Sequence, residues 1–265
     1  MPGLRSPRRL LLSLLVAAPV AYAQTVDPIV TDRPDYVESS NVVGAGRFQF
    51  ETSVAYERFG DKGFKATAWS TPTLLRLGVS DTVELRLETD GRVRAKAWAP
   101  GAGSVRSSGF ADTAIGLKWH TADGEGGSPS IGWLLHADLD SGSSELRGSG
   151  IRPSLRVVAE WELPHGMSFG VMPGVSYEKN DDGDRYVNGS LGIVLGKALT
   201  ERLRGFAEIA APAIASSRNG GSEVSLNGGV AYLLTPLVQV DTAVSRGLNS
   251  RTADASWTFG LSMKF

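Results

Sequence analysis

The segment Ala255-Ser-Trp-Thr-Phe-Gly-Leu-Ser-Met-Lys-Phe265 ends the chain, and its reading decides the fold. Every odd position is apolar (Ala255, Trp257, Phe259, Leu261, Met263, Phe265) and every even one is small or polar (Ser256, Thr258, Gly260, Ser262, Lys264). Side chains alternate faces along a β-strand, so this is a strand with one apolar and one wet face.

The same period recurs upstream. Ile131, Trp133, Leu135, Ala137 and Leu139 alternate with Gly132, Leu134, His136 and Asp138. Leu155, Val157, Ala159 and Trp161 alternate with Arg156, Val158, Glu160 and Glu162, and Val83, Leu85 and Leu87 with Glu84, Arg86 and Glu88. Counting such runs predicts strands near 46–58, 66–79, 82–98, 110–120, 129–140, 151–163, 167–179, 186–198, 201–213, 222–234, 237–247 and 255–265. Short connections (Ser80-Asp81, Pro164-His165-Gly166, Leu199-Thr200, Thr235-Pro236) alternate with longer Gly/Ser-rich or acidic ones, expected at Pro100 to Gly109, Ser141 to Gly150, Asn180 to Arg185, Ser216 to Gly221 and Gly247 to Asp254. Thr121 to Ser128 is the one long connection on the short side. An even strand count with short turns at one end and long loops at the other is the organisation of a bacterial outer-membrane barrel. A soluble sandwich would use shorter strands of about five to six residues. It would also not ring its apolar face with Tyr56, Trp69, Trp119, Trp161, Tyr177, Tyr232 and Phe265 near strand ends. The fold class expected is all-β, a transmembrane up-and-down antiparallel β-barrel of about twelve strands.

The N-terminus fits export to that membrane. Arg5, Arg8 and Arg9 precede an apolar run from Leu10 to Val20, and Ala21-Tyr22-Ala23 supplies small residues for cleavage before Gln24. The apolar run is too short to span a bilayer as a helix. Residues 1–23 therefore read as a signal peptide, 24–45 as an N-terminal periplasmic segment or a plug, and 46–265 as the barrel. Without residues 1–23 the chain keeps 24 basic against 28 acidic side chains, which argues against a nucleic-acid partner. There are no cysteines, so stability must come from the closed hydrogen-bonded sheet.

Three stretches resemble a known family. Thr31-Asp32-Arg33-Pro34-Asp35, Gly44-Ala-Gly-Arg-Phe-Gln-Phe-Glu51 and Phe110-Ala-Asp-Thr-Ala-Ile-Gly-Leu-Lys-Trp119 are similar to the outer-membrane transporter family labelled for the meta-pathway of phenol degradation. In the third, Asp112, Gly116 and Lys118 fall on the motif, with Ala111 where glycine is common. The resemblance implies a role linked to aromatic or other small organic compounds, and it carries over no catalytic residue. Phe265 also resembles the terminal aromatic that the barrel assembly machinery recognises.

Charge at wet-face positions must point inward, because Arg or Lys facing lipid near the bilayer centre costs about 2–4 kcal/mol. The lumen lining expected is Arg76, Glu84, Arg86, Glu88, Arg92, Arg94, Lys118, His136, Asp138, Arg156, Glu160, Arg204, Glu208 and Asp241. Lining of this kind can set which solutes pass, or pair across strands and fill the interior. The expected function is passive uptake of small organic, including aromatic, solutes. The alternatives are a structural or adhesion-type barrel with a plugged lumen and, behind that, a membrane phospholipase. Ser130 lies six residues from His136, about 20 Å along a strand, too far for proton transfer. No enzyme, cofactor or metal site is expected; Asn180 to Asp184 lacks the later Glu of a calcium loop. Outer-membrane lipid and a small solute are the partners expected.

Overall fold

The computed structural model describes residues 27–61, 63–180 and 182–265; the signal-peptide reading of 1–23 lies outside them. Fifteen strand segments follow one another: β1 (Phe48–Asp61), β2 (Phe64–Ser70), β3 (Thr73–Gly78), β4 (Val83–Thr89), β5 (Arg92–Ala99), β6 (Gly103–Phe110), β7 (Thr113–Ala122), β8 (Ser130–Asp138), β9 (Arg152–Leu163), β10 (Met167–Lys179), β11 (Arg185–Ala198), β12 (Leu203–Ile214), β13 (Glu223–Thr235), β14 (Val238–Gly247) and β15 (Ala255–Lys264). Every pairing is antiparallel, and β15 returns to β1, from Gln49 opposite Lys264 to Arg58 opposite Ala255, closing the sheet. Three pairs of segments, β2 with β3, β4 with β5 and β6 with β7, are single strands interrupted midway. Counted so, the cylinder has twelve strands. Among the described residues closure leaves no unpaired edge in lipid except along β6, which pairs only with β5 and whose inner-end residue Phe110 accepts at its carbonyl from Ser143 N–H of the loop after β8 (2.8 Å).

The interruptions have identifiable causes. Pro72 cannot donate to the ladder, and its carbonyl accepts the Ser53 N–H at 2.9 Å. Between β4 and β5 the register slips by one: Thr73 faces Thr89, but Trp69 faces Arg94. The extra residue lies at Asp90-Gly91, where Gly91 takes φ 65° and a Cβ would meet the Thr71 carbonyl oxygen at 2.4 Å. An added residue of this kind is a β-bulge, and it exchanges the two faces of everything beyond it. The neighbouring strand makes the same exchange between Phe110 and Thr113. Arg92 and Arg94 therefore correct the sequence reading. They stand on the outer face, Arg94 level with Trp69 and Tyr56 and Arg92 over the Phe110 ring, rather than in the lumen. The expected loop from Pro100 to Gly109 is also mostly strand, with a turn only at 100–102 before β6.

Large apolar side chains cover the outside: Leu85, Leu87, Ile115, Leu135, Ile193, Ile209, Leu226 and Phe259 are all exposed. In water such a surface would aggregate; in a bilayer it is the lipid band. Aromatics bound it at both ends. Phe48, Trp119, Trp133, Tyr232 and Phe265 lie at the short-turn end, with Phe48 and Phe265 rings 6.1 Å apart. Tyr56, Trp69, Tyr177 and Trp257 lie toward the loop end, with Tyr56 4.7 Å from Trp69.

Candidate functional site

The interior is where buried charge collects. Gln49, Glu51, Arg76, Glu84 and Lys118 are almost fully excluded from solvent, although their strands are only one sheet thick. What covers them is the chain's own N-terminal segment. Ile29 N–H bonds the Pro236 carbonyl (2.7 Å) at the short-turn end, the chain runs inside the barrel through residues 32–41, and it returns to the same end, where Gly46 N–H meets the Gly78 carbonyl (2.9 Å).

Two kinds of contact hold this segment. Wall cations take its carboxylates. Asp32 lies 2.6 Å from Arg86, 2.8 Å from Lys118 and 3.3 Å from Arg76. Glu38 lies 2.6 Å from Arg86 and 3.2 Å from Arg156, and Asp35 makes a two-pronged pair with Arg204, both bonds 2.9 Å. Wall carboxylates take its backbone N–H groups, which a segment without secondary structure would otherwise bury unpaired. Glu208 accepts from Tyr36 (3.0 Å) and Val37 (2.7 Å), Glu160 from Ser40 (2.6 Å), Glu84 from Val43 (2.9 Å) and Glu51 from Asp32 (3.1 Å). Arg33 reaches Asp241 at 3.4 Å, and Gln239 donates to Thr31 Oγ1 at 2.8 Å. Burial raises the Asp32 carboxyl, but Arg76, Lys118 and Arg86 outweigh it and hold the group far below the usual carboxylate range. Glu38 is lowered too, burial opposing and Arg86 leading the charges that prevail.

On the other side of the lumen the segment meets grease. Val37 packs with Leu134, Val158, Met172, Val194 and Phe206, all inward-facing and buried. The wall is thinned to admit it: a Cβ at Gly192 would meet Val37 Cγ2 at 2.5 Å and Tyr36 Cδ1 at 2.9 Å.

Of the fourteen lining residues expected, twelve face inward. Arg76, Glu84, Arg86, Lys118, Arg156, Glu160, Arg204, Glu208 and Asp241 touch the segment as described. His136 accepts from Arg86 Nε at 3.2 Å and lies so close to Gly116 that a Cβ there would sit 2.2 Å from the ring. Glu88 and Asp138 line the outer end of the lumen beyond the segment; Arg92 and Arg94 are outside. Asp112 does not touch the segment; it borders the outer end of the lumen beside Glu88 and Asp138. It fastens the loop after β8 by accepting from Gly142 and Gly148 N–H and pairing with Arg152, each at 2.8 Å. The sequence reading missed the apolar half of the interior. Its signal was present, since Leu134 and Val158 occupy wet-face positions in otherwise alternating runs.

The segment divides the lumen without filling it. Toward the loops are cavities of about 240 Å³, bordered by Arg33, Glu88, Arg86 and Arg156, and about 220 Å³, bordered by Pro34, Tyr36, Ala210, Pro212, Asn227 and Thr258. Toward the short turns is one of about 340 Å³, bordered by Ile29, Asp35, Glu160 and Arg204. Among the described residues no group of three or more metal-binding side chains occurs.

A family model described as "Putative MetA-pathway of phenol degradation" matches residues 31–265. No curated protein matches the chain. Among solved structures, an outer membrane channel from Pseudomonas putida F1 superposes with TM-score 0.67 at 10% identity, covering 86% of this chain and 98% of that one. The NanC porin gives TM-score 0.53 at 10% identity over 82% of this chain and 100% of its own. The β domain of the Bordetella autotransporter BrkA gives 0.56 at 16% identity over 83% and 100%. At such identities the likeness is one of fold, and the fold is that of outer-membrane barrels.

Proposed function

The chain belongs to this phenol-degradation family and is an outer-membrane β-barrel, and from that premise we propose that it is a passive channel for small organic solutes whose residues 29–43 form a plug in the lumen. One observation supports the reading: a single peptide segment crosses the interior, with cavities on both of its sides. A purely structural barrel of this width has no need to keep two vestibules. Wall charges pair with one another, Arg76 with Glu84 (2.8 Å) and Glu51 (3.1 Å) and Arg86 with Glu84 (3.0 Å), and the same side chains are also matched to the segment. The plug's signature Thr31 to Asp35 is also the family's opening motif.

The vestibule beside Tyr36 supports an organic, including aromatic, solute. Tyr36, Pro34, Ala210 and Pro212 give it a largely apolar lining, while Asn227 Oδ1 and Thr258 Oγ1 are buried without a partner and can each accept from a solute hydroxyl. Sites of this type orient a ligand with few polar groups and bind it mostly through apolar contact.

The enzyme reading finds little support in the three histidines. His120 bonds the Ser40 carbonyl and Asp123, His136 is held by Arg86, and His165 occupies a turn with φ 64°. Phe265, 60% exposed at the seam and bonded through its N–H to the Phe48 carbonyl (2.8 Å), is free to be read by the assembly machinery before closure.

The test is solute flux into proteoliposomes holding the purified chain. Benzoate and phenol should enter faster than into protein-free vesicles, and faster still when residues 29–43 are removed. Entry at the protein-free rate by both proteins would overturn the channel reading, and phospholipid hydrolysis would favour the enzyme.

A further inference from the structure

The bulge at Asp90-Gly91 leaves a second charged surface that the lumen does not use. Beyond it, the outward positions of neighbouring strands form rungs. On one rung, Arg106 of β6 faces Lys96 of β5, Lys96 faces Thr67 of β2, Thr67 faces Arg58 of β1, Arg58 faces Ala255 of β15, and Ala255 faces Arg246 of β14. Four cations thus lie on one line across six adjacent strands. The rung beneath is Arg94, Trp69, Tyr56 and Trp257, the aromatic girdle itself. No outward position of either rung carries a carboxylate; Asp254 lies over Gly60 at the rim. Among the described residues, none of Arg58, Arg94, Lys96, Arg106 and Arg246 makes an ion pair.

Height places these cations at the headgroups. A strand tilted by about 40° climbs roughly 2.5 Å per residue. From Val83 at the short-turn end, Arg94 is eleven residues up, at about the upper edge of the ~25 Å apolar band, with Lys96 just above it. At the same level the wall is notched. A cleft of about 470 Å³ opens on the outer face between Val54, Trp69, Ser70, Thr71, Arg92 and Arg94, with an apolar floor and two guanidiniums at its mouth.

We propose that this face binds a phosphorylated glycolipid of the outer leaflet, with the phosphates of its sugar headgroup on Arg94, Lys96, Arg106 and Arg58 and an acyl chain in the notch. A row of unpaired cations beside lipid needs anions to neutralise it, and arginine forks suit phosphate oxygens. The apolar floor below selects a lipid over a soluble phosphate. The proposal rests on the reading that the loop end faces the exterior, and it does not depend on whether the lumen conducts.

Native mass spectrometry of the detergent-purified protein, checked for folding by its heat-shifted gel mobility, is the test. Incubated with bis-phosphorylated lipid A, the wild type should retain a bound lipid, and the variant R94Q/K96Q/R106Q should bind at least tenfold less. Chemically dephosphorylated lipid A should fail to bind the unmodified protein, an arm that needs no variant. Equal binding of both lipids, or undiminished binding by a folded variant, would overturn the proposal. So would equal competition by inositol hexakisphosphate without any lipid preference, which would mean a general anion surface. A lipid-binding protein that fails the solute-flux test would leave this inference standing and remove only the channel reading.

Discussion

Arg86 and Arg94 stand eight residues apart on one strand and at the same parity, yet they live in opposite worlds. Arg86 is buried in the lumen with Asp32 and Glu38 on its guanidinium, each at 2.6 Å. Arg94 is exposed on the outer face beside Trp69, with no ion-pair partner among the described residues. A single extra residue at Asp90-Gly91 separates them. The difference teaches that an alternating charge pattern fixes which residues share a face within a run, while a bulge decides which face that is.

The two arginines should differ most when each is removed in turn. Arg86→Ala removes the 2.6 Å partner of two buried carboxylates and should destabilise the folded barrel by about 3–5 kcal/mol, the usual cost of breaking a buried pair. Arg94→Ala should change stability by less than about 0.5 kcal/mol. Urea unfolding in detergent or vesicles measures both; similar losses would deny that the two sites differ.

Next in size is Gly192→Leu. It aims a side chain into the space held by Val37 and Tyr36 and should dislodge the plug while leaving the wall intact. Solute flux should rise several-fold, and the 29–43 stretch should become open to protease. Unchanged flux and protection would mean that the wall glycine does not seat the segment.

The chain has no cysteine, so single cysteines report facing cleanly. A cysteine at 94 should react with a lipid-soluble maleimide in intact proteoliposomes, and one at 86 should not react until the protein unfolds. Deleting Gly91 should reverse the behaviour of the cysteine at 94.

The smallest effect expected is with pH. The folded-state pKa values of Asp32 and Glu38 are depressed, so their contribution to holding the plug is complete above the ordinary carboxylate range and is lost only as pH falls through the depressed values. Flux should therefore be flat from about pH 8 to about pH 5. A step in that window would assign the plug's hold to other groups.

Much of this was legible in the sequence because a barrel wall obeys a two-residue period. The run from Ala255 to Phe265, the girdle aromatics and the inward charges of β4, β7 and β9 follow from alternation alone. The facing of Arg92 and Arg94 did not, because a bulge leaves the pattern intact on either side and only shifts its phase. The site was half legible. Asp32, Arg86 and Lys118 could be named as functional candidates, but nothing local says that Asp32 lies between those two cations, since the contacts span 54 and 86 residues. The apolar pocket for Val37 was hidden in a different way. Leu134 and Val158 looked like lapses in a polar face, and they make sense only once something apolar lies opposite them.

On the proposed function the lumen is the solute path and residues 29–43 are its stopper. Single-channel recording in planar bilayers, comparing the intact chain with one lacking 29–43, tests it most directly. Narrow or no current is expected for the first and a steady unitary conductance several-fold larger for the second. Equal conductance, or silence from a correctly folded plugless barrel, would contradict it.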